Sequence, residues 1–185
     1  MLPTHPVKFT YLDYLLLPED QRCELINGDI IQAPSPGWAH QTVSANAFRK
    51  LDAFVLKNKL GVVCFGPLDV VLSDFDVLHP DLMFISKDRQ SRIFDQGLKG
   101  TPDLAIEILS CDTEHRDRVV KRKLYHRYGV RELWLVDPQA KTVEVVGWEG
   151  SEFKTLQVYP ENTILKSSIL EDFSLSLKEI FLNSP

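Results

Sequence analysis

The sequence is poor in cysteine: Cys23, Cys64 and Cys111 are widely spaced and form no CxxC pair. An odd, scattered set argues against a disulfide framework or a structural zinc site and places the chain in a reducing compartment. Long apolar runs are missing as well. None approaches the roughly 18 residues of a membrane span, so no membrane attachment is expected. The start, Met1-Leu2-Pro3-Thr4-His5-Pro6, lacks the charged head and apolar stretch of a secretory signal, and a cytoplasmic protein is expected. Positive charge is not in excess. The 21 Lys and Arg residues face 26 Asp and Glu, a formal net charge of −5, which excludes a general nucleic-acid coat. Internal repeats, low-complexity segments, linkers, helix-turn-helix motifs and zinc fingers are absent too.

What is present is an ordinary globular composition, 44% apolar and 25% charged over 185 residues. That length suits a single domain, 1–185, with a short N-terminal tail at 1–8. Thr10 is placed to cap a short helix through Leu17, which stops before Pro18. Asn27-Gly28 between apolar pairs predicts a hairpin over Cys23–Ile31. From Trp38 to Leu60 the apolar residues recur at helical spacing, and Gly61 ends that helix. Runs at 62–65 and 68–72 read as strands split by Gly66-Pro67, followed by a strand opening at Pro80-Asp81. Residues 87–101 read as a loop with a helical turn. Pro102–Leu109 is a further strand, about Thr113–Tyr128 a helix closed by Gly129, and Glu132–Asp137 the next strand. Two more strands, near Thr142–Val146 and Phe153–Tyr159, precede a closing helix at Ser174–Phe181. One strand–helix–strand unit inside hairpin-connected strands predicts an α/β domain, a mixed β-sheet with flanking helices.

Three polar positions in apolar surroundings point to chemistry. Glu107 lies between Ile106 and Ile108, and a buried carboxylate is costly unless something pairs with it. Asp81 opens the preceding apolar run. Lys121 lies on the returning helix, on a face shared with Asp117, Leu124, Tyr125 and Tyr128. Two carboxylates are enough protein to hold Mg²⁺, which prefers hard oxygen ligands and keeps several waters. A nearby lysine would hold the attacking water and offset transition-state charge. The expectation is a metal-dependent phosphodiesterase, with Lys123 the alternative lysine.

Around that helix, Arg116, Arg118, Lys121, Arg122, Lys123 and Arg127 face only Asp117, a local charge of +5 on an acidic chain. Arg116, Arg118 and Arg122 are the candidate nucleic-acid contacts, against the plainer reading of a solvated helix face. Tyr125 and Trp134 read as core packing and Asp103 as a strand start. A rival reading makes Cys111 a nucleophile with His115 or His40 as base, but no acyl-transfer signature surrounds it.

As a set, these segments resemble the PD-(D/E)XK nuclease superfamily, and more closely the Uma-type family of putative restriction endonucleases abundant in cyanobacteria. The resemblance runs from about Tyr11 to Phe181. It is carried by Glu24-Leu25-Ile26-Asn27-Gly28, by His40, by Pro80-Asp81-Leu82 and by Pro102-Asp103-Leu104-Ala105-Ile106-Glu107-Ile108-Leu109-Ser110. It continues through Asp117-Arg118, Lys121-Arg122-Lys123-Leu124-Tyr125 and Gly129 to Pro138. It implies a restriction-endonuclease-like core, Mg²⁺ (or Mn²⁺ in its place) on Asp81 and Glu107, catalytic Lys121, and Glu24 as a further acid. His40 is a possible accessory residue. DNA is the implied substrate and a homodimer the expected assembly, since cutting both strands needs two sites. The superfamily usually keeps its lysine two residues after the acid, where this chain has Leu109; Lys121 matches a lysine displaced to the helix. The alternative is a catalytically weak or inactive module of the same fold that binds DNA or a protein.

Overall fold

The computed structural model of the protein describes residues 7–18 and 21–183. Most of the expected tail, residues 1–6, lies outside that range. In chain order the elements are α1 (Tyr11–Tyr14), β1 (Cys23–Ile26), β2 (Asp29–Gln32), α2 (Trp38–Lys57), β3 (Gly61–Phe65), β4 (Asp69–Ser73), β5 (Asp76–Leu78) and β6 (Leu82–Ser86). A 3-10 turn, Lys87–Arg92, leads to β7 (Ile93–Phe94), β8 (Gly97–Lys99) and β9 (Leu104–Ile108). A π-helix, Arg116–Lys121, runs directly into α3 (Arg122–Tyr128). The chain closes with β10 (Glu132–Asp137), β11 (Thr142–Glu149), β12 (Glu152–Pro160), β13 (Ile164–Lys166), β14 (Ser174–Ser176) and α4 (Leu177–Ile180).

Among the described residues the strands form two six-stranded sheets and a small hairpin, where a single mixed sheet is expected from sequence. The central sheet has the order β12-β11-β10-β9-β6-β3, and the second the order β2-β1-β5-β4-β8-β7. In the central sheet β9 and β10 are parallel, joined by the π-helix and α3, and the other pairings are antiparallel. The expected α/β mixed architecture is therefore present.

Alternation along β9 sets the layers, because successive strand residues face opposite sides. Leu104, Ile106 and Ile108 join Val43, Ala47, Leu51 and Val55 of α2 and Phe173 to Phe181 of the C-terminal segment in one core. Ala105 and Leu109, on the other side, pack with Leu124 and Tyr125 of α3 and with Ile26 and Leu78 of the second sheet. Glu107 points to that second side. A third cluster, Val70, Met83, Ile85 and Leu98, joins the second sheet to the central one.

Local signals explain most elements. Thr10 caps α1 with a reciprocal capping box to Asp13, although the helix ends at Tyr14 rather than Leu17. Asn27 and Gly28 take φ of 50° and 78° between β1 and β2, the left-handed pair a tight hairpin turn needs. Three expectations are corrected. Residues 87–101 carry the strands β7 and β8 besides their helical turn. Ser174–Ser176 is a strand rather than the start of a helix, since Leu175 pairs with Leu165 and alternates with two serines. The basic helix opens with a turn of π-helix rather than regular α-helix, a feature frequent at functional sites.

Candidate active site

The ammonium of Lys121 is the hub. It lies 2.8 Å from Glu24 Oε1, 3.0 Å from Glu107 Oε2 and 3.3 Å from Asp117 Oδ1. All four side chains are at most 5% exposed. Glu24 comes from the second sheet, Glu107 from the central sheet, and Asp117 and Lys121 from the π-helix. The site thus sits where the two sheets and the crossover connection meet. Tyr125, one turn beyond Lys121, donates its hydroxyl to Glu107 Oε1 at 2.5 Å. The His79 backbone N–H donates to Glu24 Oε1 at 2.9 Å.

Asp81 approaches from the neighbouring strand. Leu82 pairs with Ile106 across β6 and β9, and the antiparallel register continued by one residue brings Asp81 level with Glu107. Asp81 Oδ2 accepts the Ile108 N–H at 2.7 Å, and its Oδ1 lies 3.2 Å from His40 Nε2 on α2. Glu24, His40, Asp81, Glu107, Asp117 and Lys121 line one cavity of about 460 Å³.

Four carboxylates therefore gather around one ammonium and the Arg116 guanidinium, whose Nε is 3.7 Å from Glu24 Oε2. With Arg22 and Arg49 also on the cavity wall, four formally positive groups face four formally negative ones. Burial pushes the Glu107 carboxyl well above its usual range; Lys121 opposes this, and Asp117, Asp81 and Glu24 reinforce it. Burial likewise raises Asp117 despite Lys121. For Glu24 burial is outweighed by Lys121 and the His79 N–H, so its pKa is lowered. Burial alone would depress the Lys121 ammonium, but Glu107, Glu24 and Asp117 hold its pKa well above normal. Burial and then Glu107 push the Tyr125 hydroxyl upward.

A pH dependence follows. Carboxyls raised in the folded state bind more protons there than in the unfolded chain, so stability falls as pH rises through the raised range. Glu24 acts oppositely, but its contribution is complete once the pH exceeds its ordinary 4.5. Thermal unfolding in a chelator should therefore show a midpoint that declines from about pH 5 toward pH 8. A midpoint that climbs over that interval would contradict the buried-acid geometry.

Among the described residues, the buried Glu24 Oε2 and His40 Nδ1 have no hydrogen-bond partner, and Asp117 Oδ1 has only the Lys121 ammonium at 3.3 Å. Hard carboxylate oxygens gathered in one cavity, with the buried Glu24 Oε2 lacking a hydrogen bond, fit a divalent cation. No three Asp, Glu, His or Cys side chains converge into a ready ligand cage among the described residues. The donor set suits an ion that keeps several waters, with Asp81 and Glu107 able to hold it.

The other sequence-level candidates divide. Lys123 is exposed. Arg116 lines the cavity and reaches the Gln32 carbonyl at 3.4 Å. Arg118 instead pairs with Glu114 at 2.8 Å, Glu144 at 2.9 Å and Asp137 at 3.6 Å. Arg122 bonds Glu144 at 2.9 Å and Thr155 at 3.2 Å. Both tie the helix to β10–β12 and do not line the cavity. Arg22 lines the cavity, as does Arg49. Asp103 is structural: it accepts the Ser86 N–H at 2.8 Å and pairs with Arg131 at 3.3 Å. Cys111 is exposed beside Gln139 and is not part of the cavity.

Sequence reasoning gave no site role to Asp117, Tyr125, His79, Arg22 and Arg49. The first two carry a legible signal, since Asp117, Lys121 and Tyr125 recur every four residues on one face. The others are brought in by long-range pairing.

A family model described as Uma2, putative restriction endonuclease, matches residues 10–178. The chain is similar to a solved structure, a putative nuclease belonging to DUF820 from Anabaena variabilis, with a TM-score of 0.78. The identity is 24%, over 95% of this chain and 98% of that one. No curated protein sequence matches. No helix among the described residues is long and apolar enough to cross a membrane.

Proposed function

We propose, from the premise that this chain belongs to the Uma2 family of putative restriction endonucleases, that it hydrolyses DNA phosphodiester bonds with a divalent cation held by Asp81 and Glu107. One observation carries the reading: Lys121 Nζ sits 3.0 Å from Glu107 Oε2, in the cavity that Asp81 lines from the neighbouring strand. The lysine displaced from the strand thus lies beside the carboxylates it has to serve.

When bound, Mg²⁺ or Mn²⁺ would supply Lewis-acid polarisation of a phosphoryl oxygen and lower the pKa of a coordinated water. Lys121 would hold the attacking water and offset charge on the transition state, acting in a buried setting where such stabilisation is strongest. Glu24 and Asp117 hold the ammonium in place, and the Tyr125 hydroxyl fixes the Glu107 carboxylate. His40 orients Asp81. Phosphate contact falls to Arg22, Arg49 and Arg116, which line the cavity. Arg118 and Arg122 are matched by Glu114, Asp137 and Glu144, so their part is to seat the helix. Two copies of the chain would cut both strands of a duplex at one place.

The test is nicking of supercoiled plasmid with Mg²⁺ or Mn²⁺ and with EDTA, using wild type and Asp81→Asn. Metal-dependent nicking, lost in EDTA and at least about 100-fold slower in the variant, is expected, since a directly ligating group should matter at least as much as a supporting one. A second reading has one observation in its favour. Both Glu107 oxygens are already engaged by Lys121 and Tyr125, as in a module that binds without cutting. Nucleic-acid binding without cleavage under any divalent cation would favour that reading.

A further inference from the structure

Helix α2 has two working faces. Val43, Ala47, Leu51 and Val55 form its core stripe. Gln41, Ser44, Ala45, Phe48 and Arg49, also at three- and four-residue spacing, line the cavity instead. Small side chains at Ser44 and Ala45 leave room, and the stripe ends in an aromatic ring and a guanidinium. Opposite stands Phe65, at the end of the edge strand β3 and 62% exposed. Burying a phenylalanine ring normally stabilises by about 1.5–3 kcal/mol, so a ring left in water beside a polar site lacks its natural cover.

Phe65 is also held close to the acids. The Gly66 N–H donates to the Asp81 carbonyl at 2.8 Å. A side chain at Gly66 would come within 2.8 Å of the Pro80 carbonyl, so only glycine lets these strands close here. Phe48 meets Phe65 edge to face, with centroids 5.2 Å apart and planes at 84°, which props the ring in one orientation.

The space has a definite size. The cavity holds about 460 Å³, within the size range of small-molecule sites and enough for one nucleotide. Arg22, Arg49 and Arg116 on its walls complement a phosphate backbone.

We infer that this cavity takes one unpaired nucleotide, its base stacked on Phe65 and its phosphate at Asp81 and Glu107. The inference rests on the nuclease reading above and narrows its substrate to single-stranded, flapped or branched DNA. Aromatic platforms with flanking cations are the usual means of holding single strands, because every base has a face to stack.

The test uses the full chain in Ca²⁺ with three fluorescein-labelled DNAs: a single strand, a blunt duplex of the same sequence and a duplex with a single-stranded flap. Anisotropy should show tighter binding to the strand and the flap than to the duplex. Phe65→Ala should weaken those two by about 5- to 100-fold, the effect of losing one base–aromatic stack. Phe65→Tyr should restore them. Because Phe65 is exposed, the alanine variant should fold, and its thermal midpoint checks that. A duplex bound more tightly than either, with Phe65→Ala silent, would overturn the inference and leave the nuclease reading standing. Absence of binding to all three DNAs would overturn both. A Phe65→Ala variant that turns a dimer into a monomer without touching strand affinity would assign the ring to a second copy and also overturn it.

Discussion

Lys121→Ala should destabilise the cation-free protein by about 3–5 kcal/mol, the cost of breaking a buried ion pair by removing one partner. The variant leaves Glu24, Glu107 and Asp117 facing one another with no ammonium between them. Two relaxations are open to it: the carboxyls take up protons, or a cation replaces the lost charge. Urea unfolding in EDTA should therefore show the full loss, and millimolar Mg²⁺ or Mn²⁺ should recover more stability in the variant than in wild type, by binding the native state alone. Under the proposed function cleavage should fall at least about 100-fold, because that reading also makes Lys121 the group that stabilises charge at the reaction. Lys123→Ala, on the exposed side of the same helix, should change stability by no more than about 0.5 kcal/mol. A second replacement sharpens the test. Leu109 lies two residues beyond Glu107 on the same face and packs beside Leu124 and Tyr125. Lysine at 109 in the Lys121→Ala background should return the charge from the strand, two residues after the acid, and under the proposed function recover part of the activity. The missing leucine packing limits how much returns. A Lys121→Ala protein that cuts at the wild-type rate would end the assignment.

What could be read in the sequence was decided by local rules. Asn27-Gly28 specified a turn, Thr10 and Asp13 a cap, and the alternation around Glu107 a strand with an acid inside its apolar run. The strand–helix–strand unit came from the same periodicities, and with it the proximity of Glu107 to the helix. Elements shorter than one period were not legible. Strands β7 and β8 have two and three residues, too few to establish alternation. The division into two sheets depends on which strands pair at long range, and nothing local sets that. Arg118 and Arg122 show the same limit: as a string they look like a basic strip, and only the fold brings Glu144 and Asp137 against them. The π-helical turn is a further case. Asp117 and Lys121 stand four residues apart, a spacing that regular α-helix also places on one face, so nothing local distinguishes the π turn.

Glu107→Gln should separate folding from function in the opposite way. In the cation-free protein the Glu107 carboxyl is pushed well above its usual range by burial, against Lys121, with neighbouring acids reinforcing the rise. Glutamine is close in shape to the protonated acid. Its amide oxygen can accept from Lys121 and its NH₂ can donate to the Tyr125 hydroxyl, so both contacts are kept, although that hydroxyl changes from donor to acceptor. Stability at pH 5–6 should therefore change by no more than about 1 kcal/mol, on the scale of one exchanged hydrogen bond. Toward pH 8 the variant should be the more stable of the two, because wild type must then ionise a buried acid and the amide cannot. The decline of the melting midpoint with pH should flatten accordingly, leaving Asp117 as the remaining raised carboxyl. Binding of the cation follows the other arm of the linkage. If Glu107 is a ligand, as proposed, binding in wild type requires its ionised form, so affinity rises with pH. In the variant one ligand charge is gone, and calorimetry with Mn²⁺ should show binding at least about 10- to 100-fold weaker, the loss already expected from disturbing a group that only supports a ligand. Cleavage should fall by at least the same factor. If Glu107→Gln binds Mn²⁺ as tightly as wild type and nicks plasmid as fast, the cation is held elsewhere and Glu107 serves only to hold Lys121.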